Sequence, residues 1–159
     1  METNLKNVLE GTVVNELLPE RDIVLVTASE SIHDVIKKMS REHILSVPVF
    51  FPNKGTIQGM FDLNDALSLV LNKLESGSSV DDVASLPVGD AMNLSKVDVF
   101  MPLSATLSLY HLVEWFTRGI HRVPVLNDEG TVEGIVSQSS VLRFIANHLD
   151  SIPESVLNR

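Results

Sequence analysis

Three short runs hold the side chains best suited to chemistry. Asp62-Leu63-Asn64-Asp65 sets two carboxylates three residues apart, Ser137-Gln138-Ser139-Ser140 sets two hydroxyls at the same spacing, and His121-Arg122 places two basic side chains side by side. Acids at the start of a helix have a structural use of their own. Asp62 fits an N-cap that accepts from an orphan N–H, and Asp65 suits the positive end of the helix dipole. Arginine offers a planar fork of donors that matches phosphate, and His121 can add another. The plain alternative is an arginine stem lying over apolar surface. The histidines at 33, 43, 111, 121 and 148 show no metal-ligand pairing, and no phosphate loop, nucleophile elbow, H-E-x-x-H or EF-hand spacing occurs. Acid pairs such as Asp81-Asp82 and Asp128-Glu129 fall where caps and turns are expected. No nucleophile and base come together, so the sequence reads as a binding protein rather than an enzyme.

The bulk composition narrows the partners. Twelve basic against 21 acidic residues give a net charge of −9, which repels nucleic-acid backbones and anionic membranes. The 159-residue chain is 44% apolar and can bury roughly 70% of its unfolded surface without staples. Cysteine is absent, which excludes disulfides, thiolate metal sites and a thiol nucleophile and suits a reducing compartment. The opening METNLKNVLEG lacks the apolar segment of a signal peptide, and no apolar run reaches the roughly 18 residues of a membrane span. A cytoplasmic location, with the nucleus also open to it, is the expectation.

The elements that must position these side chains occur twice. Val47-Pro48-Val49 returns as Val123-Pro124-Val125, and Ile57-Gln58-Gly59 returns as Val132-Glu133-Gly134. Thr27 to Ile32 aligns with Pro102 to Leu107, and Val14 to Leu18 aligns with Val88 to Met92. Each copy reads β-α-β-β-α, an α/β (α+β) class. Ile23–Val26 is a short buried strand; a helix capped at Ser29 or Ser31 follows, with Ile32, Val35, Ile36 and Met39 on one face. Val47–Phe51 and Ile57–Phe61 form a hairpin across Pro52–Gly55, and Asp62–Leu74 is a second helix. In the second copy the helices run over Leu107–Thr117 and Gln138–Leu149, with the hairpin turn at Asn127–Gly130. The expected partition is 12–74 for the first unit, 75–86 for a connector with a short helix capped by Ser79, 87–149 for the second unit, and 150–159 for a tail. Neither half covers its own apolar face, so the two are expected to pack as a pseudo-twofold pair.

Two such units, with V-P-V strands and a G-h-h strand leading into a helix, resemble a CBS-domain pair, or Bateman module. Ile120-His121-Arg122-Val123-Pro124-Val125 and the run from Gly134 to Phe144 are similar to the γ regulatory subunits of AMP-activated/SNF-type kinases, which carry four such units against the two here. The resemblance implies an adenine nucleotide (AMP, ADP or ATP) in the cleft between units. Asp62 and Asp65 then fall at the ribose step, with Asp62 replacing the family's Ser/Thr; Ser137 and Ser140 fall at the second, where Ser140 replaces the family's Asp. His121 and Arg122 fall at phosphate, matched in the first copy by Leu45-Ser46 with His43 nearby. Pro124 lies in the same motif, and Thr27 and Met101 fall at the adenine wall. A carboxylate can accept from both ribose hydroxyls, so one good site per chain, using Asp65, is expected. No prosthetic group is implied.

The function this implies is non-catalytic energy sensing: nucleotide occupancy signalled to a partner, a protein kinase among the candidates. The alternative is a structural dimerisation module whose site has decayed. A homodimer is expected through Leu67, Leu71, Leu74, Leu112, Trp115 and Phe116 on the outer helices.

Overall fold

The computed structural model describes residues 5–20, 22–97 and 100–148; the expected helix end at Leu149 and the tail lie outside them. Along the chain run α1 (Leu5–Gly11), a 3-10 turn (Val14–Leu17), β1 (Val26–Thr27), α2 (Ile32–Arg41), β2 (Ser46–Phe51), β3 (Thr56–Asp62), α3 (Leu63–Glu75) and α4 (Val80–Ala84). A second 3-10 turn (Val88–Asp90) leads to β4 (Leu103–Ser104), α5 (Leu109–Thr117), β5 (Arg122–Leu126), β6 (Val132–Ser137) and α6 (Gln138–Asn147). The β-α-β-β-α order is present twice.

Residues 24–100 form one compact unit. Its sheet has the order β1-β2-β3, with β1 parallel to β2 and β3 antiparallel to it. Ser31 caps α2 by accepting from the Asp34 N–H at 3.1 Å, which chooses between the two candidate caps. Ile32, Val35 and Met39 point from α2 into a core with Val47, Val49 and Phe61, as the 3.6-residue period requires. Ser79 caps α4 as expected. Gly55 closes the hairpin at φ +67, a conformation in which glycine escapes the Cβ clash.

The described residues before 24, together with residues 101–148, form the other unit. Its sheet repeats the pattern as β4-β5-β6, and each hairpin carries its register irregularity at the same place, Val49/Phe50 and Val125/Leu126.

Three expectations change. The first strands are shorter and lie later, at Val26–Thr27 and Leu103–Ser104. Their loops align at an offset of 77 rather than 75 residues: Ala28 and Ala105 donate to Phe50 and Leu126, Ser31 and Ser108 are the N-caps, and Ile32 and Leu109 follow. Met101 therefore precedes its strand, and the counterpart of Thr27 is Ser104. Leu112 is not an outer residue: it is fully buried in the core with Leu109, Val123 and Val136, because α5 turns that face onto its sheet. Trp115 and Phe116 pack against the same core.

The lead-ins are cut differently in space and in sequence. Val88 and Gly89 donate to Glu30 and Ala28 at 2.9 Å each, within residues 24–100. In the other unit Val14 and Asn15 donate to Leu107 and Ala105 at 2.8 and 3.0 Å. Each lead-in thus completes the unit belonging to the other repeat. Glycines make room for them: a Cβ on Gly59 would come within 2.7 Å of Met92 Sδ, and one on Gly134 within 2.7 Å of Leu18 Cδ2.

Candidate functional site

In residues 24–100 the step from β3 to α3 gathers three buried polar side chains. Ser46 opens β2 directly opposite Asp62; Asp62 and Asp65 are only 2% and 3% exposed. Asp62 is the N-cap, accepting from the Asp65 N–H at 2.8 Å, while its own N–H donates to Asp65 Oδ2 at 3.1 Å. The other oxygen, Asp65 Oδ1, accepts the Ser95 N–H at 2.8 Å. Burying an anion is costly unless hydrogen bonds replace its water, and here backbone N–H groups and the positive end of α3 do so. Left-handed residues on either side of Ser95, Asn93 at φ +60 and Lys96 at φ +57, shape the loop that delivers this N–H. Asn93 Oδ1 is the one buried side-chain acceptor without a partner among the described residues. Each Asp65 oxygen still has acceptor capacity beyond its single backbone bond.

The step from β6 to α6 in the other unit has the same geometry and different chemistry. Ser137 Oγ accepts the Ser140 N–H at 3.2 Å, the Ser137 N–H donates to Ser140 Oγ at 3.3 Å, and the two hydroxyls lie 3.1 Å apart. Both serines are half-buried. Arg122 stands opposite Ser137, as Ser46 stands opposite Asp62. His121 is exposed, and its carbonyl accepts the Gln138 N–H at 3.1 Å, while Gln138 Nε2 reaches the Ile120 carbonyl at 3.0 Å. Pro124 is buried opposite Ile135 in mid-strand.

Ser46, Asp62 and Asp65 therefore come together in one unit, and His121, Arg122, Ser137 and Ser140 in the other. Thr27 does not join the first group. It pairs with Phe50, about 13 Å along the strand from Ser46, and both its N–H and Oγ1 donate to Glu30 Oε1, at 2.7 and 3.2 Å. Met101 is an exposed loop residue. The sequence reading missed one participant: Ser95, whose N–H reaches Asp65 from 30 residues away with no local signal. Among the described residues no three His, Cys, Asp or Glu side chains converge as a metal site, and no helix is long and apolar enough to cross a membrane.

The sequence matches the CBS domain family over residues 14–72 and 85–147. The chain belongs to the CBS-domain family, with two copies of the domain. Among curated relatives it is 29% identical over 150 residues to protein SDS23 of Vanderwaltozyma polyspora, covering 88% of this chain and 28% of that one. It is 29% identical over 157 residues to protein SDS24 of Saccharomyces cerevisiae, covering 91% and 30%. The chain thus spans under a third of the length of these two relatives. Its fold is similar to that of CBSX2 in complex with AMP, at TM-score 0.67 and 22% identity over 86% of this chain and 98% of that one. It is similar also to MJ1225 from Methanocaldococcus jannaschii, a proposed archaeal homolog of γ-AMPK (0.73, 17%, 86% and 50%). A third likeness is the CBS domain of a bacterial CNNM/CorC family Mg2+ transporter in complex with ATP (0.68, 19%, 87% and 89%).

Proposed function

We propose that the chain is a regulatory module that binds an adenine nucleotide, AMP, ADP or ATP, in the cytoplasm and reports its occupancy to a partner, a protein kinase being the first class to test. The observation that carries this reading is the buried Asp62/Asp65 pair at the end of β3. It is an acceptor site for a pair of vicinal hydroxyls in a fold whose relatives are known in complex with AMP and ATP. Asp65 is suited to accept from a ribose, and Arg122 and His121 are suited to donate to a phosphate. Occupancy then shifts the partner's affinity by a coupling of about 1–3 kcal/mol. Calorimetry with AMP, ADP, ATP and S-adenosylmethionine tests it. One binding event per chain, lost in Asp65→Ala while the far-UV spectrum persists and melting stays cooperative at a lowered midpoint, is the expected result.

A second reading, an association module without ligand, is favoured by the engagement of both Asp65 oxygens with backbone N–H groups. The α3 leucines 63, 67, 71 and 74 stand exposed as a ridge for a homodimer. Absence of heat with all four ligands at millimolar concentration, together with a sedimentation mass above 17.5 kDa, would establish this reading instead.

A further inference from the structure

Asp65, the acceptor proposed for the ribose, is only 3% exposed, so a ligand reaches it only if something moves. Two of its bonds belong to the step itself: its N–H donates to Asp62 Oδ1, and its Oδ2 accepts the Asp62 N–H. These hold the cap of α3 and do not yield without fraying the helix. The third bond comes from outside the step. The Ser95 N–H donates to Asp65 Oδ1 at 2.8 Å, from an irregular stretch over residues 91–97. That stretch lies against β3 before it reaches α3. A Cβ on Gly59 would come within 2.6 Å of Asn93 Nδ2 and 2.7 Å of Met92 Sδ. Leu94, Lys96 and Val97 are exposed, and the Val97 N–H reaches Ser95 Oγ at a long 3.3 Å. This closed arrangement carries its own costs. Asn93 and Lys96 are left-handed, at φ +60 and +57, which L side chains adopt at a penalty. Asn93 Oδ1 is buried without a partner among the described residues, a loss that contact with water would remove.

We infer that residues 92–96 are a strap, latched by the Ser95 N–H on Asp65 Oδ1, that a nucleotide must lift to reach the carboxylate. The inference rests on the nucleotide reading above and adds a regulatory step to it, because the same oxygen serves either the strap or the ribose. Lifting the strap removes one hydrogen bond to a charged acceptor. It also relaxes two left-handed residues and returns the Asn93 amide to water. One strong bond therefore stands against several local costs. Two states so balanced respond to a ligand that binds one of them better. Occupancy of a buried carboxylate is thereby carried to residues 94, 96 and 97, whose side chains are already exposed and whose backbone the released latch sets free.

Proline at position 95 has no N–H to donate, whereas alanine keeps it. In calorimetry on the full chain, Ser95→Pro should bind AMP about tenfold more tightly than the native protein, and Ser95→Ala should match the native protein. Hydrogen exchange followed by NMR reads the latch directly. The Ser95 amide should be protected in the free chain and exchange about tenfold faster at saturating AMP. Either an affinity no tighter in a folded Ser95→Pro, or an amide still protected in the AMP complex, would overturn the strap and leave the nucleotide reading standing. Heat in Ser95→Pro alone would establish the strap and remove binding from the native chain. No heat in any of the three proteins would overturn both. Should the proline variant fail to fold, amide exchange in the native protein decides by itself.

Discussion

The two strand-to-helix steps solve one geometric problem with opposite chemistry. Both place an N-cap side chain and a side chain three residues later in reciprocal bonds with each other's N–H groups. At Asp62/Asp65 the acceptors are carboxylates sealed from water; at Ser137/Ser140 they are half-buried hydroxyls beside His121 and Arg122. A carboxylate only accepts, whereas a hydroxyl donates as well, so the first step suits hydroxyl groups and the second suits an anion. The two copies therefore share backbone geometry while the side-chain chemistry at the step differs.

The largest test concerns what lies beneath each step. Phe61 and Val136 are counterparts, both fully buried. Phe61→Ala should cost about 3–5 kcal/mol in denaturant unfolding, and Val136→Ala about 1–2 kcal/mol; equal costs would mean that the two cores do not differ as their side chains do. Next comes the anion side: Arg122→Ala should weaken AMP binding by about 1.5–3 kcal/mol in a titration, and equal affinity would remove Arg122 from the site. Asp65→Ala leaves the Ser95 and Asp62 N–H groups without their acceptor and should lower stability by about 1–3 kcal/mol, against about 0.5–1.5 kcal/mol for Ser140→Ala. Ser140→Asp should strengthen a second nucleotide event if a carboxylate is what decides occupancy.

The smallest effect belongs to a third version of the same box, Ser79 with Asp82 on the fully exposed N-terminus of α4. Hydrogen bonds from the Ser79 hydroxyl and N–H hold Asp82 below its usual carboxylate range. A depressed acid contributes stability above its unfolded pKa and loses it as pH falls through the folded value. The stability gap between the native chain and Ser79→Ala, followed by thermal melting, should therefore narrow on acidification into and below that range. A gap that widened would reverse the assignment.

Much of this was legible before any coordinates. The V-P-V strands, the glycine-bearing strands and the helix caps recur at nearly constant spacing, and hydrophobic period with capping chemistry is local information. The cap at Ser79 and the capping role of Asp62 follow from that. The shift to an offset of 77 around Ala28 and Ala105 escaped because two-residue strands carry too little pattern to anchor an alignment. Leu112 was misjudged because α5 is apolar around most of its circumference, so periodicity alone does not choose the inward face. The Ser95–Asp65 bond and the exchange of lead-ins are long-range contacts with no local signature at all.

That exchange has a consequence for the order of events during synthesis. Residues 5–18 leave the ribosome well before the strands and helix that receive them, which begin at Leu103. At about 5–20 residues per second the segment waits roughly 4–20 s with Leu9 and Val14 uncovered. Meanwhile the 24–100 unit, whose own lead-in at Val88–Met92 follows directly, can close. Translation therefore completes the 24–100 unit first, and residues 5–18, made before it, find their place after it.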